Sequence, residues 1–506
     1  MQKTLAILEV SQKQSYIFSS NHLQENVERS NEIAYVTGEG KEDFGDFFSD
    51  VAGSFYKEND NLIYAGGGHA VFQFDTNEQA KAFVQVVTLR AMQTFPGMEV
   101  FAALLDTAAY PDKTPGDLLK MLSEKLEKKK SVRAASFRRT SLGVEKLDNI
   151  TWLPCRAEKN TDQYGDRFRP ADRRDFKDLL AAKEGESGRG NFIAVVHIDG
   201  NGMGARVMSI YGKTGRDWDA CCRSLRAFSD GIKHDFEDAF SEMEKELAAL
   251  GYVDSKNRVR LRKVITAGDD ICFVCDGRIG LLAAKIFLEK ITKKENCEQR
   301  GLPYSACAGV ALVHTKYPFH MAYDLSEELC SNAKRFGARL DEDSRISALD
   351  WHVEFGQLKG GLGEQRADYL CEDSTAVHLR HMELRPLTVV VPDDLKEKVQ
   401  RETFGLRSWD YFSRVFGMLV NSKTVARSKL KNLRNAIRQG EIETCYYLRE
   451  TRSENALAAL VGKAAGGEEM VRADLSCRFV DEDRSLVFDA IELLDVIDLG
   501  EEERKQ

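Results

Sequence analysis

A pattern of secondary structure that occurs twice constrains the fold of this 506-residue chain more than any other feature of its sequence. The first copy begins with an apolar run at 4–10, which predicts a buried strand, and continues through helical sequence. Two short β-prone runs then surround the turn Gly66-Gly67-Gly68, an arrangement that predicts a hairpin. A helix near 77–94 and a strand near 98–105 complete this copy.

The second copy has the same order of elements. An apolar strand at 192–198 precedes a long helix at 217–249, and a hairpin follows at 258–275. A helix at 278–293 and a strand at 304–313 end the copy. Strand, helix, hairpin, helix, strand is the split βαβ pattern of ferredoxin-like domains. We therefore predict an α+β protein with two ferredoxin-like (βαββαβ) domains.

The two copies set the predicted domain boundaries. The first ferredoxin-like domain covers 1–111, and a charged, mostly helical connector covers 112–188. The second ferredoxin-like domain covers 189–358, and the pattern from 359 to 506 predicts a mainly helical C-terminal domain. This division agrees with the three or four domains expected at about 150 residues each.

The net charge of −9 argues against a general affinity for nucleic acid or for anionic membranes. Two local stretches are basic: 125–139 holds seven basic residues against one acid, and 421–440 holds six basic residues and no acid. Either stretch could contact RNA or DNA phosphates, or could be an ordinary solvated helix face.

Cysteine usage and hydropathy indicate the compartment. The eleven cysteines are irregularly spaced, which is typical of free thiols in a reducing environment. No stretch approaches the roughly 18 apolar residues that a membrane span needs. We expect a cytoplasmic protein without a membrane partner.

Three carboxylates are predicted to meet at one edge of the second domain. Asp199 ends the first strand, and Asp269 and Asp270 lie in the hairpin turn. In the split βαβ pattern these strands are neighbours, so the carboxylates repel each other and raise each other's pKa unless a cation neutralises them. Mg²⁺ or Mn²⁺ fits, since both take oxygen ligands and leave positions for phosphate. We predict that these three residues are catalytic and bind metal.

Glycines beside these acids indicate a nucleotide. Gly200 and Gly202 follow Asp199 and lead toward a helix, where small residues and free amides let the backbone approach a polyphosphate. Gly268 permits the tight turn that presents Asp269. A pair of metal ions can activate a hydroxyl and stabilise a leaving pyrophosphate, which predicts an enzyme that polymerises or cyclises nucleotides.

These residues carry a resemblance to a known family. Asp199-Gly200-Asn201-Gly202-Met203-Gly204 and Ala267-Gly268-Asp269-Asp270 resemble the catalytic palm of the large polymerase-cyclase subunit of type III CRISPR effectors, which carries Asp-Gly-Asp-Asn-Met-Gly and Gly-Gly-Asp-Asp. The run Gln14-Ser15-Tyr16-Ile17-Phe18 is similar to that family's first palm, and Ala333-Lys334 matches the end of its second. The similarity spans about 4–345 in consistent order.

The resemblance implies roles for individual residues. Asp199 and Asp269 would bind the metals, and Asp270 would assist them or activate the 3′-hydroxyl. The loop residues Gly200, Asn201, Gly202 and Gly268 would lie against the nucleotide. Lys334 is a candidate for binding the triphosphate, or else an exposed helix lysine.

The resemblance also implies a reaction and partners. The family joins ATP into cyclic oligoadenylate messengers and releases pyrophosphate, in CRISPR antiviral defence. ATP would therefore be the substrate, with guide or target RNA and other CRISPR effector subunits as further candidate partners.

Several positions depart from the family pattern. Asn201 stands where the family often has Asp, and Ala267 replaces a glycine. In the first palm, Gly68 and His69 occupy the Asp-Asp positions and Glu9 stands opposite, so this palm is predicted to be degenerate. Because the palm pattern starts at residue 4, the resemblance implies the form without the HD nuclease domain.

Two other functions stay open at the level of the sequence. One is a diguanylate or adenylate cyclase built on the same palm fold, which incubation with each nucleoside triphosphate would distinguish. The other is a non-catalytic scaffold that binds nucleotide or RNA inside a CRISPR complex. The substitutions at Asn201 and Ala267 favour the scaffold slightly, and the retained acids argue against it.

Overall fold

The structure is a computed structural model, and it describes residues 3–132, 147, 167–180, 191–294, 303–356, 360–370, 381–403, 405–465, 479–480 and 484–500. Helices and strands are numbered below in chain order.

The first palm contains a four-stranded antiparallel sheet in the order β2-β3-β1-β4. Its elements, with the helix that follows, are β1 (Thr4–Ser11), α1 (Lys13–Ile17), α2 (Leu23–Thr37), α3 (Lys41–Phe44), α4 (Phe47–Ala52), α5 (Glu58–Asn61), β2 (Leu62–Gly66), β3 (His69–Phe74), α6 (Asn77–Thr94), β4 (Glu99–Asp106) and α7 (Pro115–Ser131). This strand order is that of a ferredoxin-like domain. Helix α7, from the predicted connector, packs on the sheet against β4 and β1.

The second palm contains a six-stranded sheet in the order β10-β9-β8-β5-β7-β6. Its elements are α8 (Phe176–Leu179), β5 (Phe192–Gly200), α9 (Met203–Thr214), α10 (Trp218–Ala249), β6 (Leu261–Ala267), β7 (Asp270–Asp276), α11 (Gly280–Thr292), β8 (Ala306–His314), α12 (Phe319–Leu340) and β9 (Ser347–Val353). The four strands β6-β7-β5-β8 repeat the ferredoxin-like order. Strand β9 then pairs in parallel with β8. The α+β fold with two such palms, predicted from the sequence, is confirmed.

The rest of the chain is mainly helical but adds one strand to the second sheet. Its elements are α13 (Leu362–Arg366), β10 (Leu387–Val390), α14 (Lys396–Thr403), α15 (Trp409–Val420), α16 (Arg427–Gln439), α17 (Glu441–Glu450), α18 (Glu454–Ala465), β11 (Phe479–Val480), β12 (Arg484–Ser485) and α19 (Phe488–Leu493). Strand β10 pairs with β9, so the sheet of the second palm draws a strand from beyond residue 358.

The two palms pack on each other reciprocally. Helix α2 of the first palm lies against β6, the edge strand of the second sheet, and α10 of the second palm lies against β2, the edge strand of the first. From α10, Ser229 Oγ donates to the Ala65 carbonyl at 2.7 Å, and Arg226 donates to the Ile63 carbonyl at 3.2 Å. Both palms therefore form one interface in which each covers the open edge of the other.

Burial of β5 on both faces explains its apolar sequence. Alternate residues such as Val195 and Val196 point to opposite faces of the sheet and are fully buried. A central strand covered on both sides loses its polar alternation, which is the pattern seen at 192–198. Among the described residues, no helix is both long and apolar enough to cross a membrane.

Candidate active site at the meeting of the two palms

The sheet of the second palm brings the three predicted acids together. Asp199, next to last in β5, pairs with Asp270, the first residue of β7. Asp269 lies in the turn between β6 and β7, where Gly268 has a φ of +63°. This backbone conformation favours glycine, so Gly268 sets the turn that presents Asp269 beside Asp199.

The three carboxylates share one electrostatic environment. Desolvation by the surrounding protein and the charge of Asp199 raise the pKa of Asp269 to about 7. The same two causes raise the pKa of Asp270 to about 7. Carboxylates with such pKa values are partly protonated at neutral pH, and a cation placed among them would favour their charged forms.

Lys334 supplies one positive charge to this group. It projects from α12, and its Nζ donates to Asp199 Oδ2 at 2.5 Å and to the Gly200 carbonyl at 2.8 Å. Burial lowers the pKa of Lys334 and the Asp199 carboxylate raises it, with a net upward shift. The lysine is therefore a site residue held against the acids, and not a free surface side chain.

The loop after Asp199 is shaped by close contacts. A Cβ on Gly200 would come within 2.8 Å of Asp269 Oδ2 and 2.5 Å of Met203 Cε, so the approach of Asp269 requires glycine there. Gly202, with a φ of +68°, begins α9. The side-chain amide of Asn201 is buried and donates to the Ile346 carbonyl at 3.1 Å. Asn201 therefore anchors the loop, and a carboxylate in its place could not donate this hydrogen bond.

His197 lies at the same site, although its position in the sequence was not recognised as functional. It lies two residues before Asp199 on the same face of β5 and is buried. Its Nδ1 is 3.5 Å from Asp270 Oδ1, and within the described part of the chain neither atom has a hydrogen-bond partner. Burial lowers the pKa of His197, which favours the neutral ring. The signal that could have found it is the two-residue spacing from Asp199 on a strand.

A cavity of about 370 Å³ opens between the palms beside Asp270. The first palm contributes Lys13 and Gly68 to its wall, and the second contributes Tyr323 and Glu327. The two glycine turns approach each other here, since a Cβ on Gly268 would lie 3.8 Å from the backbone nitrogen of Gly67. The volume is within the range of small-molecule sites, so one acidic turn and one glycine turn enclose space for a small ligand.

At the corresponding turn of the first palm, the charged side chains pair with nearby groups of the chain itself. Glu9 pairs with Lys130 at 2.8 Å. Lys13 Nζ donates to the Gly67 carbonyl at 2.6 Å, and Glu39 accepts from the Gly68 amide. Burial lowers the pKa of His69, which favours its neutral form.

The oxygen donors at the second palm fit a hard divalent cation by their chemistry. Asp199, Asp269 and the Gly200 carbonyl lie together, and the raised pKa values of Asp269 and Asp270 show the cost of crowding carboxylates without a cation. Within the described residues, no group of three or more His, Cys, Asp or Glu side chains is arranged for metal binding. The ammonium of Lys334 holds the Asp199 oxygen that a cation would take.

Most of the described basic side chains in the two stretches contact the chain itself. From 125–139, Lys125 and Lys129 donate to backbone carbonyls of β4 at 2.7 and 2.8 Å. From 421–440, Arg427 and Lys431 both pair with Asp495. Residues 133–139 lie outside the described residues. These contacts favour the interpretation of both stretches as ordinary helix faces over that of a phosphate-binding surface.

The fold and the site together define a class: a double-palm α+β protein with acids at one of its two facing turns. No protein-family profile matches the chain, and no curated protein matches it. Solved structures do share its fold, and structures of Csm1 are among them.

Three of these structures illustrate the likeness. Csm1 of a Csm1-Csm4 cassette with pppApA is 12% identical, with a TM-score of 0.54 over 98% of this chain and 69% of that one. Csm1 of the cassette with cA4 is 13% identical, with a TM-score of 0.51 over 97% of this chain and 69% of that one. Csm1 in T. onnurineus is 13% identical, with a TM-score of 0.51 over 98% of this chain and 69% of that one. The resemblance predicted from the motifs is thus confirmed as a likeness of fold along nearly the whole chain.

Proposed function

We propose that this chain is a Csm1-like large subunit of a CRISPR effector, and that it joins ATP into cyclic oligoadenylate with release of pyrophosphate. The observation that carries the proposal is the group of three carboxylates at the meeting of the palms, two of them with pKa values near 7. Crowded acids of this kind are costly unless a ligand neutralises them. The related structures of complexes with AMPPNP, pppApA and cA4 support nucleotide as that ligand.

In this proposal Asp199, Asp269 and the Gly200 carbonyl hold Mg²⁺ or Mn²⁺. The metal would supply charge neutralisation at the attacking and leaving oxygens. Asp270, with its neighbour His197, is placed to accept the proton of an attacking 3′-hydroxyl, because its pKa lies near the working pH. Lys334, already directed at Asp199, would bind the triphosphate. Gly202 and Gly268 would let the backbone lie close to the phosphates.

Further proposals concern partners and setting. The related structures are Csm1-Csm4 cassettes, so a subunit of the Csm4 kind is the first partner to test. Guide or target RNA is a further candidate. The cysteines that the structure describes are all unpaired, which agrees with a reducing, cytoplasmic setting.

A second function, a non-catalytic scaffold that binds RNA or protein subunits, is favoured by one observation. Lys334 Nζ contacts Asp199 Oδ2 at 2.5 Å, so a side-chain cation already supplies charge to this carboxylate. Calorimetry with Mg²⁺ and ATP separates the two: no binding would establish the scaffold. A diguanylate or adenylate cyclase would instead be revealed by its preference among labelled nucleoside triphosphates.

The decisive experiment is mass spectrometry of the products formed from ATP and Mg²⁺, with and without RNA, together with pyrophosphate release. Asp269→Ala combined with Asp270→Ala should abolish both products. The matched control is Asp393→Ala with Asp394→Ala, a second adjacent pair of acids that is exposed and lies outside the palms. Full activity of the Asp269/Asp270 variant would refute the assignment.

A further inference from the structure

A second, larger cavity lies outside the acidic site, between α12 and the C-terminal domain. Its volume is about 900 Å³. We call it the arginine cavity because arginines dominate its wall, where six of them face three carboxylates, Glu327, Glu328 and Glu383. The six are Arg335, Arg339, Arg366, Arg385, Arg407 and Arg484.

Two of these arginines are exposed at the mouth of the cavity. Arg335 and Arg339 are four residues apart on α12, so they lie on one face of the helix. Arg335 donates to Asn332 Oδ1 at 3.4 Å, and Arg339 lies 5.9 Å from the ring centre of Phe336. Within the described part of the chain, neither forms a salt bridge, although Glu327 and Glu328 line the same cavity.

Arg385 lies at the buried end of the wall. Its side chain is 0% exposed, and its Nη1 donates to Asp489 at 2.7 Å and to Glu492 at 2.9 Å. Its Nε and Nη2 have no hydrogen-bond acceptor among the described residues. A guanidinium has five N–H donors, and leaving buried donors without an acceptor is costly. Arg385 therefore carries N–H donors without an acceptor at the buried end of this wall, where its guanidinium also lies 4.9 Å from the ring centre of Trp351.

Size and chemistry together limit the ligand. Guanidinium groups bind phosphate oxygens through paired, charge-assisted hydrogen bonds. A cavity of about 900 Å³ is far larger than one inorganic phosphate needs and lies within the range of small-molecule sites. Arg407 and Arg339 both lie over the ring of Phe336, which gives this wall an apolar surface beside its charges.

We propose that the arginine cavity binds a small polyphosphate compound of nucleotide size. This site adjoins the cavity beside Asp270, because Glu327 of α12 lines both, but it does not depend on the reaction proposed there. Helix α12 lies between the two, since Lys334 faces Asp199 while Arg335 faces the arginine cavity.

Arginine footprinting tests this site directly. Protein carrying Asp269→Ala and Asp270→Ala, which removes turnover from the measurement, is treated with phenylglyoxal, and modified arginines are counted by peptide mass spectrometry. Saturating ATP or inorganic triphosphate should reduce modification of Arg335 and Arg339 by at least about threefold. Arg223 and Arg401, exposed on α10 and α14, should react as before. Comparison of the two probes shows whether the nucleoside contributes to binding.

A charge-reversal variant provides the second measurement. Arg335→Glu with Arg339→Glu should lower the number of ATP molecules bound at saturation by one, while Arg223→Glu with Arg401→Glu should not change it. Circular dichroism and thermal melting identify any variant that fails to fold. Equal protection of the control arginines, no protection by either probe, or protection only by a long RNA would overturn the proposal. None of these outcomes depends on whether the protein makes a cyclic product.

Discussion

The two palms have the same strand order, but the acidic residues at their turns have different partners. In the first palm, Glu9 pairs with Lys130, and Glu39 accepts a hydrogen bond from the glycine turn. In the second palm, Lys334 contacts Asp199, and the charge of Lys13 from the first palm lowers the pKa of Asp270, so two lysines act on three acids. The first turn is therefore complete without a ligand, whereas the second holds more negative charge than its surroundings neutralise.

This difference shows how two copies of one fold can take different roles. A turn whose charges are satisfied internally can serve as a wall, and Gly67 and Gly68 let that wall approach the opposite turn closely. A turn with surplus charge is costly to fold and has a corresponding capacity to bind cations. Four experiments test this difference between the two palms.

Removal of divalent metal should have the largest effect. Chelation with EDTA should lower pyrophosphate release from ATP by at least about a hundredfold, because the clustered carboxylates would be left without a cation. Mg²⁺ or Mn²⁺ should restore it. Mg²⁺ should also raise the melting temperature of the wild-type protein more than that of an Asp269→Asn, Asp270→Asn variant. Undiminished turnover in chelator would remove the distinction between the palms.

Lys334→Met should have the next largest effect. The loss of a charge-assisted contact to the triphosphate should lower kcat/KM for ATP by about tenfold to a hundredfold, measured from initial rates of pyrophosphate release. The control is Lys290→Met, which removes a lysine that pairs with Glu246 at 2.6 Å away from the site. If both variants lost the same activity, Lys334 would be a structural lysine.

The stability of the metal-free protein should depend on these acids. Because Asp269 and Asp270 have pKa values of about 7 when folded, and an aspartate has about 3.9 when unfolded, the folded state binds more protons between these values. The free energy of unfolding should therefore fall as pH rises through this window and level off above it. Urea unfolding at pH 5 and pH 8 measures the slope, which Asp269→Asn with Asp270→Asn should reduce. Identical slopes would show that the acids are not strained.

Glu9→Gln should have the smallest effect. It removes the pair with Lys130, whose two side chains are about one-fifth exposed, and should cost about 0–1 kcal/mol of unfolding free energy. Activity should stay within about twofold of the wild type, because the first turn supplies a wall and not charge. A large loss of activity would mean that Glu9 takes part in the reaction.

The elements of the fold were predictable where local periodicity carries the signal. The long helix predicted at 217–249 is α10, Trp218–Ala249, because apolar residues recur along one face of it. The hairpins were predictable from glycine turns between β-prone runs. Strand β10 was not, since four residues within a helical region leave too short a pattern to recognise.

The candidate site was predictable only in part, for a similar reason. Asp199, Asp269 and Asp270 could be placed together because strand order fixes which strands are neighbours. The roles of Asn201 and Arg385 depend on partners more than 100 residues away, Ile346 for the first and Asp489 for the second. Such pairs arise from tertiary packing and leave no mark on the spacing of nearby residues.

The reciprocal packing of the palms also has a consequence for synthesis. Strand β2 has carbonyl groups on its outer edge that accept hydrogen bonds from Arg226 and Ser229 of α10. On a ribosome, the first palm is made more than a hundred residues before these side chains appear. During that interval its edge strand is open to pairing with another chain. The stage of synthesis at which chaperones have most to protect is thus the interval when β2 of the nascent first palm is not yet covered by α10.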